Sequence, residues 1–223
     1  MDTPAAVATI DSIEETDRLD GLVDLIELRL DLSNDPIERV HEYNGSTPLI
    51  LTNRLESEGG GAPDNQDRLD TLRSVLRADG VWGIDLELEA LEQHPAAQAL
   101  SEEANAEDVQ VIVSAHPPTM ISVDVMRQML TDGAALGDIA KLAVPVETPT
   151  QLADLTTATS QLIEAGLPVA TMAIGPHALA SRIIAAGIGC HLVYAAPPGV
   201  EPAVTGQPSI TTLKPVIDTA KLG

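Results

Sequence analysis

A chain of 223 residues with 44% hydrophobic content can fill a core, so a formal charge of −22, from 12 Lys+Arg against 34 Asp+Glu, does not mark it as disordered. That charge repels nucleic acid and anionic membranes, which argues against both as partners, and it opposes the compact state unless salt screens it. The acidic excess, the scarcity of lysine and the absence of Phe point to a cytoplasm rich in salt. One cysteine, Cys190, excludes an intrachain disulfide and reads as a small core residue. No stretch reaches the ~18 apolar residues of a membrane span or carries a signal-peptide pattern, so a cytoplasmic protein is expected.

Apolar runs alternate with helix-like segments along the whole chain. Ala6–Ile10 reads as a strand, followed by a helix over 12–22. Leu25–Leu32 is the second strand and Pro36–Tyr43 its helix. Leu49–Arg54 is followed by a Gly-rich loop and a helix over 65–78. Gly83–Leu88 precedes helical sequence reaching Ala106, and Val109–His116 precedes a helix over 122–132. The sixth strand, Ile139–Pro145, leads into a helix over 148–165. Pro168–Ile174 is followed by a helix over 177–186, and His191–Ala196 by a closing helix over 210–222.

Strict alternation of strand and helix implies a parallel sheet with right-handed crossovers, and eight such units close a (β/α)₈ TIM barrel. An open doubly wound sheet is the alternative, but no Gly-x-Gly-x-x-Gly follows a strand. No break in composition divides the chain, so residues 1–223 are expected to form one domain.

Strand parity places the charges. In Glu27-Leu28-Arg29-Leu30-Asp31-Leu32, charged residues alternate with leucines. Alternate residues face opposite sides of a strand, and the outer face of a barrel packs on helices. Glu27, Arg29 and Asp31 therefore point inward. The same parity sends Asp85 and Glu87, Thr52 and Arg54, Ser114 and His116, and Lys141 into the interior. An antiparallel sheet with one wet face would also alternate, but the intervening helices count against it. Converging ionisable groups mark a site more often than a core.

Lys141 is the centre of this set. It is one of three lysines, and Lys214 and Lys221 both lie in the C-terminal segment. An ammonium desolvated in an apolar strand yields neutral amine, the nucleophile that condenses with ketones to form an imine. A snorkelling strand-end lysine is the plainer alternative. His116 ends the neighbouring strand and can exchange protons near neutral pH. Glu58, in the loop Glu56-Ser57-Glu58-Gly59-Gly60-Gly61, can reach in and orient an imidazole. Arg29, Arg54 and Arg182 suit forked recognition of a carboxylate. No His/Cys cluster has metal-ligand spacing, and no phosphate-binding Gly-Lys-Ser/Thr motif is present.

Together, Glu-Leu-Arg-Leu-Asp, Thr-Asn-Arg with Glu-Gly-Gly, Asp-Leu-Glu-Leu, Ser-Ala-His and Ala-Lys-Leu-Ala resemble type I 3-dehydroquinate dehydratase, in the right order over nearly the whole chain. The resemblance implies a (β/α)₈ enzyme of the shikimate pathway that converts 3-dehydroquinate to 3-dehydroshikimate without cofactor or metal. It implies that Lys141 forms the Schiff base, that His116 moves the protons and that Glu58 polarises His116. It assigns Glu27, Arg29 and Arg54 to the substrate and Arg182 to its carboxylate. The family's closing loop reads Ser-Ala-Pro-Gly-Gln. Here Ala203-Val204-Thr205-Gly206-Gln207 matches, so Gln207 carries over and Ala203 replaces the loop serine. A homodimer is also implied. The competing readings are another imine-forming barrel, such as an aldolase, and a non-catalytic metabolite-binding barrel.

Overall fold

The computed structural model describes residues 3–199, 202 and 206–222. Eight strands, β1 (Ala5–Ile10), β2 (Leu25–Arg29), β3 (Leu49–Thr52), β4 (Val81–Glu87), β5 (Gln110–Ala115), β6 (Ile139–Pro145), β7 (Val169–Ile174) and β8 (Leu192–Ala195), form one sheet. Each pairs in parallel with its neighbour in the order β7-β6-β5-β4-β3-β2-β1-β8. The two ends meet where the His191 amide donates to the Val169 carbonyl at 2.8 Å, so the sheet is a nearly closed (β/α)₈ barrel.

Around it run α1 (Pro36–Glu42), α2 (Gln66–Val75), α3 (Leu88–Gln93), α4 (Pro95–Ala106), α5 (Val123–Leu136), α6 (Pro149–Glu164), α7 (Ala178–Ile188) and α8 (Ile210–Ala220). Their starts follow local chemistry. Ser122 caps α5 by accepting from the Val125 amide, and Thr148 with Gln151 makes a reciprocal capping box at α6, where Pro149 takes the first turn.

Parity is as the alternation requires. The outward residues Leu28, Leu51, Ile84, Leu86, Val113 and Leu142 pack with helix residues such as Leu72, Leu100, Met126 and Leu155 in one apolar cluster. The inward residues Val7, Leu25, Ile50, Ile112, Ile139, Ala170 and Leu192 form a second cluster inside the barrel. A register shift between β3 and β4 inserts Trp82, whose ring joins that inner cluster.

Three expectations about elements are corrected. The first helix is a short 3₁₀ helix, Ile13–Arg18, because this acidic segment offers few apolar residues to a core and is cut by Gly21. The helical sequence up to Ala106 is two helices. Pro95 lacks an amide hydrogen and forces His94 out of helical geometry, to φ −117 and ψ 112. The second strand stops at Arg29, where the chain turns as the Leu32 and Ser33 amides bond back to the Arg29 and Leu30 carbonyls.

Candidate active site

A cavity of about 330 Å³ opens at the C-terminal ends of the strands. All eight residues singled out from the sequence line it: Glu27, Arg29, Arg54, Glu58, His116, Lys141, Arg182 and Gln207. Register explains how distant residues meet. Thr9 pairs with Glu27, Thr52 with Asp85, and Ser114 with Lys141, so polar side chains from six strands stand at similar heights.

The Lys141 ammonium, 5% exposed, lies 2.9 Å from Glu27 Oε1 and 2.9 Å from Asp85 Oδ2. The ammonium expected to be desolvated in an apolar strand is buried, and carboxylates of the interior set pair with it. The apolar neighbours Ala140 and Leu142 face the helices, whereas the inward side is a cradle of carboxylates. Glu27 is held by the hydroxyls of Thr9, at 2.8 Å, and Thr52, at 3.0 Å. Asp85 accepts from Arg54 at 2.6 Å and from Ser114 at 2.5 Å. Arg54 reaches Glu87 at 3.0 Å, and Glu87 accepts from Arg68 of α2 at 2.6 Å.

Three carboxylates, Glu27, Asp85 and Glu87, thus balance three cations, Lys141, Arg54 and Arg68. Pairing of this kind offsets the desolvation of buried charge. Burial opposes ionisation of Asp85, but the Arg54 and Lys141 charges outweigh it and hold the carboxyl well below the usual range. Burial likewise raises Glu27, and Lys141 together with Arg29 outweighs it, so that this carboxyl too lies below its usual value.

On the loop after β3, Glu58 Oε2 sits 2.8 Å from His116 Nδ1. The loop is pinned by Asp31, which accepts from the Arg54 and Gly61 amides at 3.1 and 2.9 Å. A Cβ at Gly60 would collide with the Arg54 carbonyl, so only glycine permits this close return. Burial, reinforced by the Arg54 and Lys141 charges, pushes His116 well below its usual value, and the imidazole is neutral at pH 7. Burial pushes the Glu58 carboxyl up to about 7, with Arg54 opposing and Glu87 adding to the rise.

The three candidate carboxylate-binding arginines differ sharply. Arg54 is consumed by Asp85 and Glu87, and Arg29 is forked onto Asp31 at 2.9 and 2.6 Å. Among the described residues, Arg182 of α7 instead donates only to backbone carbonyls: Nε to Tyr194, and Nη1 to Ala173 and Ala178. No described carboxylate faces it, and burial lowers it to about 10, which leaves it charged at neutral pH. Gln207 donates to Thr9 Oγ1 at 3.1 Å, and its Oε1 is buried with no partner among the described residues. Residues 203–205, including Ala203 of the matched closing loop, lie outside the described residues.

Four contributors were not assigned a role from the sequence. Asp85 carried the parity signal that placed Glu27 inward. Tyr194, whose ring centroid is 4.2 Å from Lys141 Nζ, shares the inward parity of Leu192. Met172 lines the apolar side of the cavity from β7, and Arg68 arrives from a helix with no sequence signal. Among the described residues no group of three or more His, Cys, Asp or Glu side chains is arranged to hold a metal ion.

The model of a family described as type I 3-dehydroquinase matches residues 6–222. The chain belongs to that family. A 3-dehydroquinate dehydratase of Halobacterium salinarum is 35% identical over 87% of this chain and 88% of its own length. One of Haloarcula marismortui is 32% identical over 92% and 90%. The fold agrees with solved structures. A type I 3-dehydroquinate dehydratase from Clostridium difficile superposes with a TM-score of 0.86 at 23% identity, covering 100% of this chain and 94% of that one. A 3-dehydroquinate dehydratase from Enterococcus faecalis gives 0.79 at 23% identity, with 98% and 95% covered. Membership in the type I 3-dehydroquinase family and the charge-balanced lysine cradle point to the same reaction class.

Proposed function

We propose that this family member dehydrates 3-dehydroquinate to 3-dehydroshikimate, a step of aromatic amino acid biosynthesis, through an imine on Lys141. The observation that carries the reading is the juxtaposition in one cavity of a buried lysine, a neutral histidine held by a carboxylate, and an arginine that faces no carboxylate among the described residues. Arg182, which faces no carboxylate among the described residues, takes the substrate carboxylate, and this fixes the ring with its C3 ketone towards Lys141.

The chemistry follows from the charges. The Lys141 ammonium passes a proton to its carboxylate cradle, the neutral amine adds to C3, and that proton leaves with the C3 oxygen as water, giving an iminium. Glu27 and Asp85, which hold the ammonium, hold this cation as well. The iminium withdraws electrons from C2, and neutral His116 removes a C2 proton to give an enamine. The electron pair returns to form the C1=C2 bond as the C1 hydroxyl departs, protonated by the imidazolium of His116. Hydrolysis of the imine then frees Lys141, so one water is lost per turnover. Glu58 holds Nδ1 of His116, leaving Nε2 for these transfers. Glu27, Arg29, Arg54 and Gln207 bound the pocket and contact the ring substituents.

Dehydration creates a conjugated enone carboxylate that absorbs in the ultraviolet. The expected outcome is turnover of 3-dehydroquinate by the wild-type chain in molar salt and none by Lys141→Ala with the fold intact. A flat wild-type trace at low and high salt sinks the dehydratase reading, and substantial turnover by the variant sinks the imine.

The remaining expectations stay part of this proposal. Residues 1–223 act as one domain, supported by the family match over 6–222. Relatives from Halobacterium and Haloarcula support the salt-rich reading of the −22 charge, which also argues against a nucleic-acid partner. Among the described residues no helix is long and apolar enough to cross a membrane, and a cytoplasmic homodimer is proposed on the family resemblance, with light scattering as its check.

A further inference from the structure

The chain contains two tyrosines, and they differ in one respect. The Tyr43 hydroxyl donates to the Thr47 carbonyl at 2.6 Å, an ordinary structural bond. The Tyr194 hydroxyl is buried, in a side chain 2% exposed, and has no hydrogen-bond partner among the described residues. Buried tyrosine hydroxyls almost always find a partner, because leaving one unsatisfied forfeits its hydration. Tyr194 stands on β8 with its side chain inside the barrel and lines the cavity that holds Lys141. Its ring centroid is 4.2 Å from Lys141 Nζ, within reach of a cation–π contact. Its backbone carbonyl accepts from Arg182 Nε at 2.8 Å. The residue therefore joins the nitrogen that meets the ketone to the guanidinium that meets the carboxylate.

We propose that Tyr194 is a substrate-contacting residue of this site: its hydroxyl donates a hydrogen bond to an oxygen of the bound substrate, and its ring face supports positive charge on the Lys141 nitrogen, first as ammonium and then as iminium. The inference rests on the dehydratase reading above and adds a residue to it. Burial, with Glu27 and Asp85 close by, pushes the phenol well above its usual value, so it is a neutral donor throughout the working range. Gln207 Oε1 in the same cavity is a buried acceptor with no partner among the described residues. An unpaired donor and an unpaired acceptor in one pocket suit a ring carrying several hydroxyls, each of which can give and take a hydrogen bond.

The test compares wild type with Tyr194→Phe, which removes only the hydroxyl, and Tyr194→Leu, which also removes the ring, in saturating salt. For Tyr194→Phe we expect kcat/KM for 3-dehydroquinate to fall about tenfold, carried mainly by KM, as for loss of one hydrogen bond. We also expect Tm of the ligand-free protein to rise, because an unsatisfied buried hydroxyl has been removed. Tyr194→Leu should lose kcat as well, since the aromatic face over Lys141 is gone. A Tyr194→Phe enzyme with wild-type kcat/KM overturns the assignment, and so does a lower ligand-free Tm, which would reveal an internal partner for the hydroxyl. Wild-type turnover in the same assay reports separately on the dehydratase reading, so the two failures are distinguishable.

Discussion

The floor and the mouth of the barrel are built from the same strands, two residues apart. On the floor, Val7, Leu25, Ile50, Ile112, Ile139, Ala170 and Leu192 close into a dry cluster. Two positions later on each strand stand Thr9, Glu27, Thr52, Ser114, Lys141, Met172 and Tyr194, and β4 adds Asp85. The floor is stabilised by burial of apolar area, which is non-directional. The mouth holds ions whose desolvation is offset only by mutual pairing. The barrel places its chemistry in a layer that contributes little net stability, supported by one that contributes much.

The largest expected effect breaks the proton relay of the mouth. In the proposed mechanism, ionised Glu58 accepts the Nδ1 proton of His116 and leaves Nε2 free as the base. Protonated Glu58 donates to Nδ1 instead, which places the proton on Nε2 and blocks it. Burial puts the Glu58 carboxyl at about 7, so kcat/KM should rise with pH through that value, while His116, held well below its usual range, adds no inflection there. Glu58→Gln should lower kcat on the order of 10²- to 10⁴-fold and abolish the rise. Persistence of the inflection in the variant would assign it to another group.

Next in size is a break in the ion network. Arg54→Met leaves three buried carboxylates, Glu27, Asp85 and Glu87, to two cations, Lys141 and Arg68, and breaking a buried ion network in this way typically costs ~3–5 kcal/mol. Urea unfolding in molar salt measures it, and an unchanged midpoint would show that the network relaxes. The smallest effect belongs to the floor. Ile112→Val removes one buried methylene and should lower stability by ~0.5–1.5 kcal/mol without moving the pH profile. A shifted profile would mean that the two layers are coupled.

Much of this division was readable before the structure. The alternation in Glu27-Leu28-Arg29-Leu30-Asp31 fixes which residues enter the barrel, because a period of two has only one inward solution once the leucines must meet helices. Lys141 and His116 follow from the same parity. Pairing was not readable. Which carboxylate meets which cation depends on register between strands up to 114 residues apart, as for Glu27 and Lys141, and on Arg68, which enters from a helix. That is why residue chemistry alone left three arginines equivalent and only the family resemblance singled out Arg182, which in the fold is the one of the three that faces no described carboxylate. Tyr194 was missed because a lone aromatic residue in an apolar strand ordinarily signals core packing.

The central claim is a covalent bond between Lys141 and the substrate ketone, and borohydride reduction in the presence of 3-dehydroquinate tests it most directly. Intact and peptide mass spectrometry should find a stable mass gain on the peptide containing Lys141, and none on Lys214 or Lys221. A folded protein in adequate salt with no adduct, or with the adduct on another lysine, would contradict the account.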